Sequence, residues 1–479
     1  MLKIQNYING ELVSPVSNTY LDNYNPSKGE VYSLIPDSEN TDVEKAYNAA
    51  ADAFNGWAST PKEERSRILL KLADLIDENH EELAKAEATD NGKPLFLAKM
   101  VDIPRASANI RFFATAVIHN PSESYHMEEG YTNYVLKQPI GVVGCISPWN
   151  LPLYLFTWKI APAIASGNCV VAKPSEVTPY TAYLFSKLCI EAGLPKGVLN
   201  IVHGLGTSAG DAIVSHKNIK AISFTGGTAT GRIIAKKCAE EFKKVSLELG
   251  GKNPNIIFDD CDFDKMLKTT LQSSFANQGQ ICLCGSRIFI QEGIYEKFKT
   301  AFIEKLKSHK VGNPFDTETK MGALVSKDHL EKVLSYVALA KEEGGKILFG
   351  GNRLTIEGFE NGYYMEPTVI EGLPFNCRTN QEEIFGPVVT LIPFKTEGEV
   401  LSYANSTPYG LSATVWTQDV SKAQRMAKNL DAGIVWINCW LVRDLRTPFG
   451  GVKQSGVGRE GGFRALNFFT EPKNVCLKY

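Results

Sequence analysis

GVVGCISPWN, residues 141–150, and NCVVAKPSE, residues 168–176, decide how this chain reads. Each holds a short apolar run that stops at proline and polar residues. Residues 141–146 and 169–172 therefore predict buried strands. Downstream, Thr178-Pro179 opens a helix that closes at Gly193. Residues 198–202 and 221–224 predict strands, 228–238 a helix, and 245–249 and 255–258 two more strands. Short apolar runs alternating with helices predict a parallel, doubly wound α/β sheet. Such a sheet binds ligands beyond the carboxyl ends of its strands. After Cys261 the alternation restarts, with helices at 263–276, 295–308 and 327–342 and strands at 286–290, 388–393 and 412–415, a second α/β domain. Upstream, the first third reads as helical. Thr60-Pro61-Lys62-Glu63 offers a cap, a proline at the first helical position and a capping-box glutamate. An apolar stripe at Ile68, Leu69, Leu72, Leu75 and Ile76 follows, and a second helix is expected over 102–115. Residues 120–136 and the tail, 468–477, read as extended.

At 479 residues and 43% hydrophobic, the chain suits about three domains at ~150 residues each. A net charge of −2 argues against a nucleic-acid binder that relies on bulk charge. The ten cysteines form no CxxC pair and the histidines show no ligand spacing, so no metal site is expected. Scattered cysteines predict a reduced, cytoplasmic setting. MLKIQNYINGELVSP lacks the apolar stretch of a signal peptide. The most apolar region, 139–172, is interrupted by Trp149-Asn150, prolines and Lys159, so no membrane span is expected.

Several residues could carry chemistry. GLGTSAG, residues 204–210, nearly matches a dinucleotide fingerprint but has GxGxxxG spacing and no acidic residue about 20 positions on; an ordinary strand–helix turn is the better reading. SFTGGTATG, 223–231, joins a strand to a helix whose N-terminus suits a pyrophosphate. Cys282, in SFANQGQICLC, falls in a loop, as an accessible nucleophile or a small buried hydrophobe. Glu248, in VSLELGGKNP, ends an apolar strand, a costly place for a carboxylate unless it is paired or works as a base. Asn150 is an oxyanion donor or a turn residue.

Taken in order, SPWN, KPSE, FTGG, LELGGKNP, NQGQIC, EEIFGP, PFGGVKQSG and GRE resemble the aldehyde dehydrogenase superfamily over nearly the whole chain. The resemblance implies Cys282 as nucleophile, Glu248 as general base, and Asn150 with the Cys282 N–H as oxyanion hole. It implies NAD as cofactor, with Lys173 and Glu176 at the adenosine ribose and Glu383 and Phe385 at the nicotinamide ribose. Ile146, Pro148, Trp149, Ser175, Gly206, Phe224, Gly226, Gly227 and Leu249 fall at cofactor-lining positions. At Gly227 many relatives carry serine, so only backbone serves there. Glu176 should accept both ribose hydroxyls and repel a 2′-phosphate, favouring NAD over NADP.

A closer resemblance, to the 2-aminomuconic and 2-hydroxymuconic semialdehyde dehydrogenases, rests on VDIPRASANIRFFA (101–114), SPWNLPLYLFTWKIAPA, SFANQGQICLC and INCWLVRDLRTPFGG (437–451). It implies a substrate with a distal carboxylate held by Arg105 and Arg443, whose guanidinium forks suit an anion. Arg446 is a weaker candidate. The runners-up are a broad, betaine-aldehyde or succinate-semialdehyde dehydrogenase, a non-catalytic protein on the same fold, and a thiol hydrolase, for which His309 is the nearest histidine in sequence. The expected architecture is an NAD-binding domain of 1–118 and 138–251, a catalytic domain of 252–443, and an oligomerisation arm of 119–137 with the tail 444–479. A homodimer or homotetramer is implied, with a small-molecule semialdehyde as the other partner.

Overall fold

Five parallel strands centre the first sheet of the computed structural model, which describes residues 1–479. Across the sheet they run Leu199–Ile201, Cys169–Lys173, Val142–Ile146, Ala221–Thr225, Lys244–Glu248. The chain enters at Val142–Ile146, builds outward to one side, then returns and builds to the other. That reversal opens a crevice beyond the carboxyl ends of Val142–Ile146 and Ala221–Thr225. Every residue of Val142–Ile146 and Cys169–Lys173 is buried, because helices cover both faces. Asn6–Ile8 and Gly456–Val457 extend the sheet antiparallel on either side.

The second sheet has seven strands, in the order Lys346–Phe349, Thr368–Glu371, Val388–Phe394, Arg287–Gln291, Pro254–Ile257, Ser412–Trp416, Ile434–Ile437. All are parallel to their neighbours except Lys346–Phe349. Cys282 precedes Arg287–Gln291, and Glu248 ends Lys244–Glu248. The amino end of the second sheet thus meets the carboxyl end of the first. A third sheet pairs Tyr131–Pro139 with Ser124–Met127 and, over nine registered residues, with the tail strand Thr470–Lys478.

Three sequence expectations change. The first third is not uniformly helical: residues 2–36 form five short strands before helix Asn40–Ser59 begins. Thr60 does not cap the helix after it. Its hydroxyl donates back to the Gly56 carbonyl at 2.9 Å, and helix Lys62–Glu78 starts after Pro61 with no side-chain cap. Residues 444–469, expected with the tail, are built onto the first sheet. Gly456–Val457 pairs with Lys244–Glu248, and Leu466 and Phe469 are buried in its core. Helix Pro152–Ala165 was not anticipated. All fourteen of its residues are buried, so it carries no polar face and no readable period. No helix is long and apolar enough to cross a membrane.

Candidate active site

Two cavities meet at Cys282. One, of about 210 Å³, is lined by Trp149, Asn150, Gly226, Glu383 and Phe385 among others. The second, of about 390 Å³, reaches Glu248, Glu460, Arg105 and Arg443. The turn before Cys282 is tight: Asn277 and Gln278 have φ of 51° and 58° and Gly279 of 69°, where a Cβ would stand 2.3 Å from the Gly386 carbonyl. Asn253 Nδ2 pins the loop by donating to the carbonyls of Cys282 at 2.7 Å and Cys284 at 2.9 Å. Burial pushes the Cys282 thiol well above its ordinary pKa. The Glu383 and Glu248 carboxyls push it the same way, and Arg443 opposes them.

Asn150 is held from behind. Its carbonyl accepts from Asn277 Nδ2 at 2.9 Å, Lys93 Nζ at 3.0 Å and Asn91 Nδ2 at 3.4 Å. Its own Nδ2 donates to the Gln280 carbonyl at 2.9 Å. One amide hydrogen remains for an oxyanion. Glu248 is 4% exposed and neither carboxyl oxygen has a hydrogen-bond partner. Burial and then Glu460 raise its pKa, against Lys159, Arg443 and Arg459. Glu460 Oε1 accepts from Lys159 Nζ at 2.9 Å and Ser223 Oγ at 3.2 Å, while Oε2 has no partner.

The smaller cavity contains seven of the thirteen cofactor candidates: Pro148, Trp149, Gly226, Gly227, Leu249, Glu383 and Phe385. Phe385 holds a left-handed φ of 61° and meets Trp149 edge-on at 5.3 Å. Glu383 Oε1 accepts from the Gly251 N–H at 2.9 Å, and a Cβ on Gly250 would stand 2.2 Å from Glu383 Oε2. A Cβ on Gly226 would strike the Phe224 ring at 2.4 Å; one on Gly227 meets nothing within 4 Å, so a serine would fit there. The other six candidates do not line this cavity. Phe224, Ile146 and Lys173 form one row across the strand ends instead, at paired register positions. Lys173 Nζ donates to Glu176 Oε2 at 2.8 Å. Burial works against the Glu176 carboxylate, but Lys173 and the main-chain N–H of Gly206 hold its pKa below the ordinary value. Ser175 lies between them, with its hydroxyl accepting from the Val177 N–H. These residues fit a dinucleotide. Thr225 Oγ1 is buried without a partner. Gly227 begins helix Thr228–Glu240 with no side-chain cap, leaving N–H groups for a pyrophosphate.

The larger cavity is mostly apolar, and two cations stand in it. Arg443 Nη1 donates to Tyr154 Oη at 2.6 Å, and its Cζ lies 4.0 Å from the Phe449 ring centre and 4.5 Å from that of Trp158. Arg105 Cζ lies 5.9 Å from the Tyr154 ring. Neither is within salt-bridge distance of a carboxylate, unlike Arg446, which is exposed and pairs with Asp444 at 2.5 Å. Arg446 lies outside the cavity.

Sequence reasoning missed Lys159, Tyr154, Trp158, His329 and Lys332. His329 and Lys332 sit on helix Lys327–Glu342 with no local motif to mark them. Glu460 lay in the quoted GRE without a role. His309 packs against Phe275 and lines neither of the cavities that meet at Cys282. His329 does share the smaller cavity with Cys282, but its Nε2 is bonded to the Phe385 carbonyl at 2.7 Å and burial lowers its pKa to about 4. Its Nε2–H is therefore the donor, spent on Phe385, and this is not a thiol–imidazole pair.

The sequence profile of the aldehyde dehydrogenase family matches residues 12–475. A Danio rerio protein named 2-aminomuconic semialdehyde dehydrogenase is 51% identical, covering 100% of this chain and 99% of that one. A 2-hydroxymuconic semialdehyde dehydrogenase of Pseudomonas sp. (strain CF600) is 43% identical, covering 100% of both. The solved NAD+ complex of an aldehyde dehydrogenase from Bacillus cereus superposes with a TM-score of 0.97 at 41% identity, covering 99% of this chain and 96% of that one.

Proposed function

The chain belongs to the aldehyde dehydrogenase family, and on that premise we propose that it oxidises a semialdehyde bearing a distal carboxylate. The 2-aminomuconic and 2-hydroxymuconic 6-semialdehydes are the substrates named for its relatives, and the product is the dicarboxylic acid. The observation that carries this reading is the pair of arginines, Arg105 and Arg443, that line the Cys282 cavity without a carboxylate partner. A cation in a largely apolar cavity is costly unless an anion joins it. A cationic substrate such as betaine aldehyde would be repelled there, which disfavours the betaine-aldehyde alternative.

The chain's residues divide the work. The Cys282 thiol rests protonated; it releases that proton to solvent, and the sulfur attacks the aldehyde carbon. The free hydrogen of Asn150 Nδ2 and the Cys282 N–H receive the developing oxyanion. NAD, when bound in the smaller cavity, would accept the hydride lost from the carbon attached to Cys282, and that loss leaves the thioester. Glu383 and Glu176 are placed to accept ribose hydroxyls, and Trp149 and Phe385 to wall the nicotinamide. Glu248, a basic carboxylate with both oxygens unspent, takes a proton from water as that water attacks the thioester. The acid leaves and the thiol is restored. Arg105 and Arg443 hold the far carboxylate throughout.

We assign 1–118, 138–251 and 444–469 to the NAD-binding domain, 252–443 to the catalytic domain, and 119–137 with 470–479 to the oligomerisation arm; the pairing of Gly456–Val457 with Lys244–Glu248 supports placing 444–469 there. The strand Ser124–Met127 leaves an exposed outer edge, which suits pairing in a homodimer or homotetramer. We place the enzyme in the cytoplasm on its reduced cysteines. The test is kcat/KM for a semialdehyde acid against a neutral aldehyde of equal length. A large advantage for the acid supports the reading, and parity overturns it.

A further inference from the structure

Behind the oxyanion donor lies a charge cluster that the chemistry above does not use. Lys93, Asp102 and Glu87 are all wholly shielded from solvent. Lys93 Nζ donates to Asp102 Oδ2 at 2.6 Å and to the main-chain carbonyl of Asn150 at 3.0 Å. Glu87 Oε1 is 3.7 Å from the same ammonium. Burial raises the pKa of both carboxyls, Glu87 to about 8, and the nearby Lys93 opposes the rise in each.

The chain positions of these residues matter. Lys93 follows Gly92, whose φ of 81° ends helix His80–Asn91. Asp102 closes the π-helical turn Ala98–Asp102, which runs directly into helix Ile103–Ala116. Such turns rotate whatever follows them and recur at functional sites. Arg105 lies three residues after Asp102, on the same helical face. One buried ammonium therefore bonds both the segment that presents Arg105 and the residue that presents the oxyanion donor.

We propose that Lys93 and Asp102 form a strut that fixes the separation between Arg105 and Asn150, which makes Lys93 a positioning residue for substrate length. The strut rests on the reading of Arg105 as carboxylate ligand and Asn150 as oxyanion donor. A semialdehyde acid is gripped at both ends, so only a chain that matches the spacing makes both contacts well. A neutral aldehyde is gripped at one end and does not sense the spacing.

The test uses full-length enzyme carrying Asp102→Asn or Lys93→Met. It measures kcat/KM for succinic, glutaric and adipic semialdehydes and for neutral aldehydes of the same lengths. The strut predicts that the acid-over-neutral ratio for adipic semialdehyde falls about tenfold or more and that the preference for length flattens, while with Asp102→Asn, which leaves the bond from Lys93 to Asn150, neutral aldehydes stay within about threefold. A common loss on acids and neutrals would mean that the cluster only supports the fold, and would overturn the proposal. An unchanged ratio would also overturn it. Asp102→Asn keeps the shape and removes only charge, so it decides the matter where Lys93→Met gives no folded protein. Failure of the underlying reading shows elsewhere: a wild-type enzyme with no acid preference, or one whose preference survives Arg105→Ala, removes the clamp itself and the strut with it.

Discussion

Arg443→Ala removes a cation that the protein itself leaves without a carboxylate partner. The guanidinium is oriented by Tyr154 Oη at 2.6 Å and by the faces of Phe449 and Trp158, so its fork is already ordered when substrate arrives. An ion pair at ~4 Å and an effective dielectric of ~20 is worth about 4 kcal/mol before desolvation. Desolvation, and the charge that Arg105 still supplies, reduce the loss to about 2–3 kcal/mol, within the range for removing one member of a hydrogen-bonded charge pair. That corresponds to roughly 30- to 150-fold in kcat/KM for a semialdehyde acid. The loss belongs mainly in KM, since the far carboxylate is held alike in ground and transition states. A second effect must be separated from it. Arg443 pulls the Cys282 and Glu248 pKa values down. Without it both rise, less thiolate is present at a given pH, and the rising limb of the pH–rate profile moves to higher pH for every substrate. The comparison therefore rests on the ratio of adipic semialdehyde to hexanal at one fixed pH, by steady-state NADH formation, because the thiolate effect falls on both substrates alike. That ratio should fall by the roughly 30- to 150-fold of the clamp. Equal losses on both substrates would refute the clamp.

Glu248→Gln should leave a pre-steady-state burst of NADH but slow turnover by about 10²- to 10⁴-fold, as expected when a general base is lost; stopped-flow without a burst would contradict its place in thioester hydrolysis. Glu383→Gln removes a carboxylate that raises the Cys282 pKa, so the pH curve for iodoacetamide labelling of Cys282, read by peptide mass spectrometry without NAD, should move to lower pH. An unmoved or upward-shifted curve would contradict that electrostatic assignment. Deleting residues 470–479 strips the nine-residue partner from Tyr131–Pro139; light scattering should show a smaller assembly, and an unchanged mass would remove the arm from the oligomer contacts.

Much of this fold was legible because the central strands are bounded apolar runs. CVVA at 169–172 and AISF at 221–224 appear in the structure within one residue of their expected ends. Helix Pro152–Ala165 was hidden because burial on every side erases the amphipathic period. The opening strands were hidden because pieces as short as Asn6–Ile8 take their stability from a partner, Leu199–Ile201, far along the chain. In the site, Cys282, Glu248 and Asn150 stood in ordered motifs and line the two cavities that meet at the cysteine. Lys159, His329 and Lys93 could not be found that way, since each acts through a partner distant in sequence: Glu460, Phe385 and Asn150. Arginines without a carboxylate partner look in sequence like any surface arginine; of the three candidates Arg105 and Arg443 line the Cys282 cavity, while Arg446 is exposed and paired with Asp444.

The most direct measurement of the central claim is kcat/KM of the purified enzyme with NAD for 2-hydroxymuconic semialdehyde, against betaine aldehyde and acetaldehyde. A two-arginine clamp predicts an advantage of about 10²-fold or more for the semialdehyde acid, or ~2.7 kcal/mol of transition-state discrimination. Comparable values for all three would contradict it, leaving an aldehyde dehydrogenase whose two arginines do not read a carboxylate.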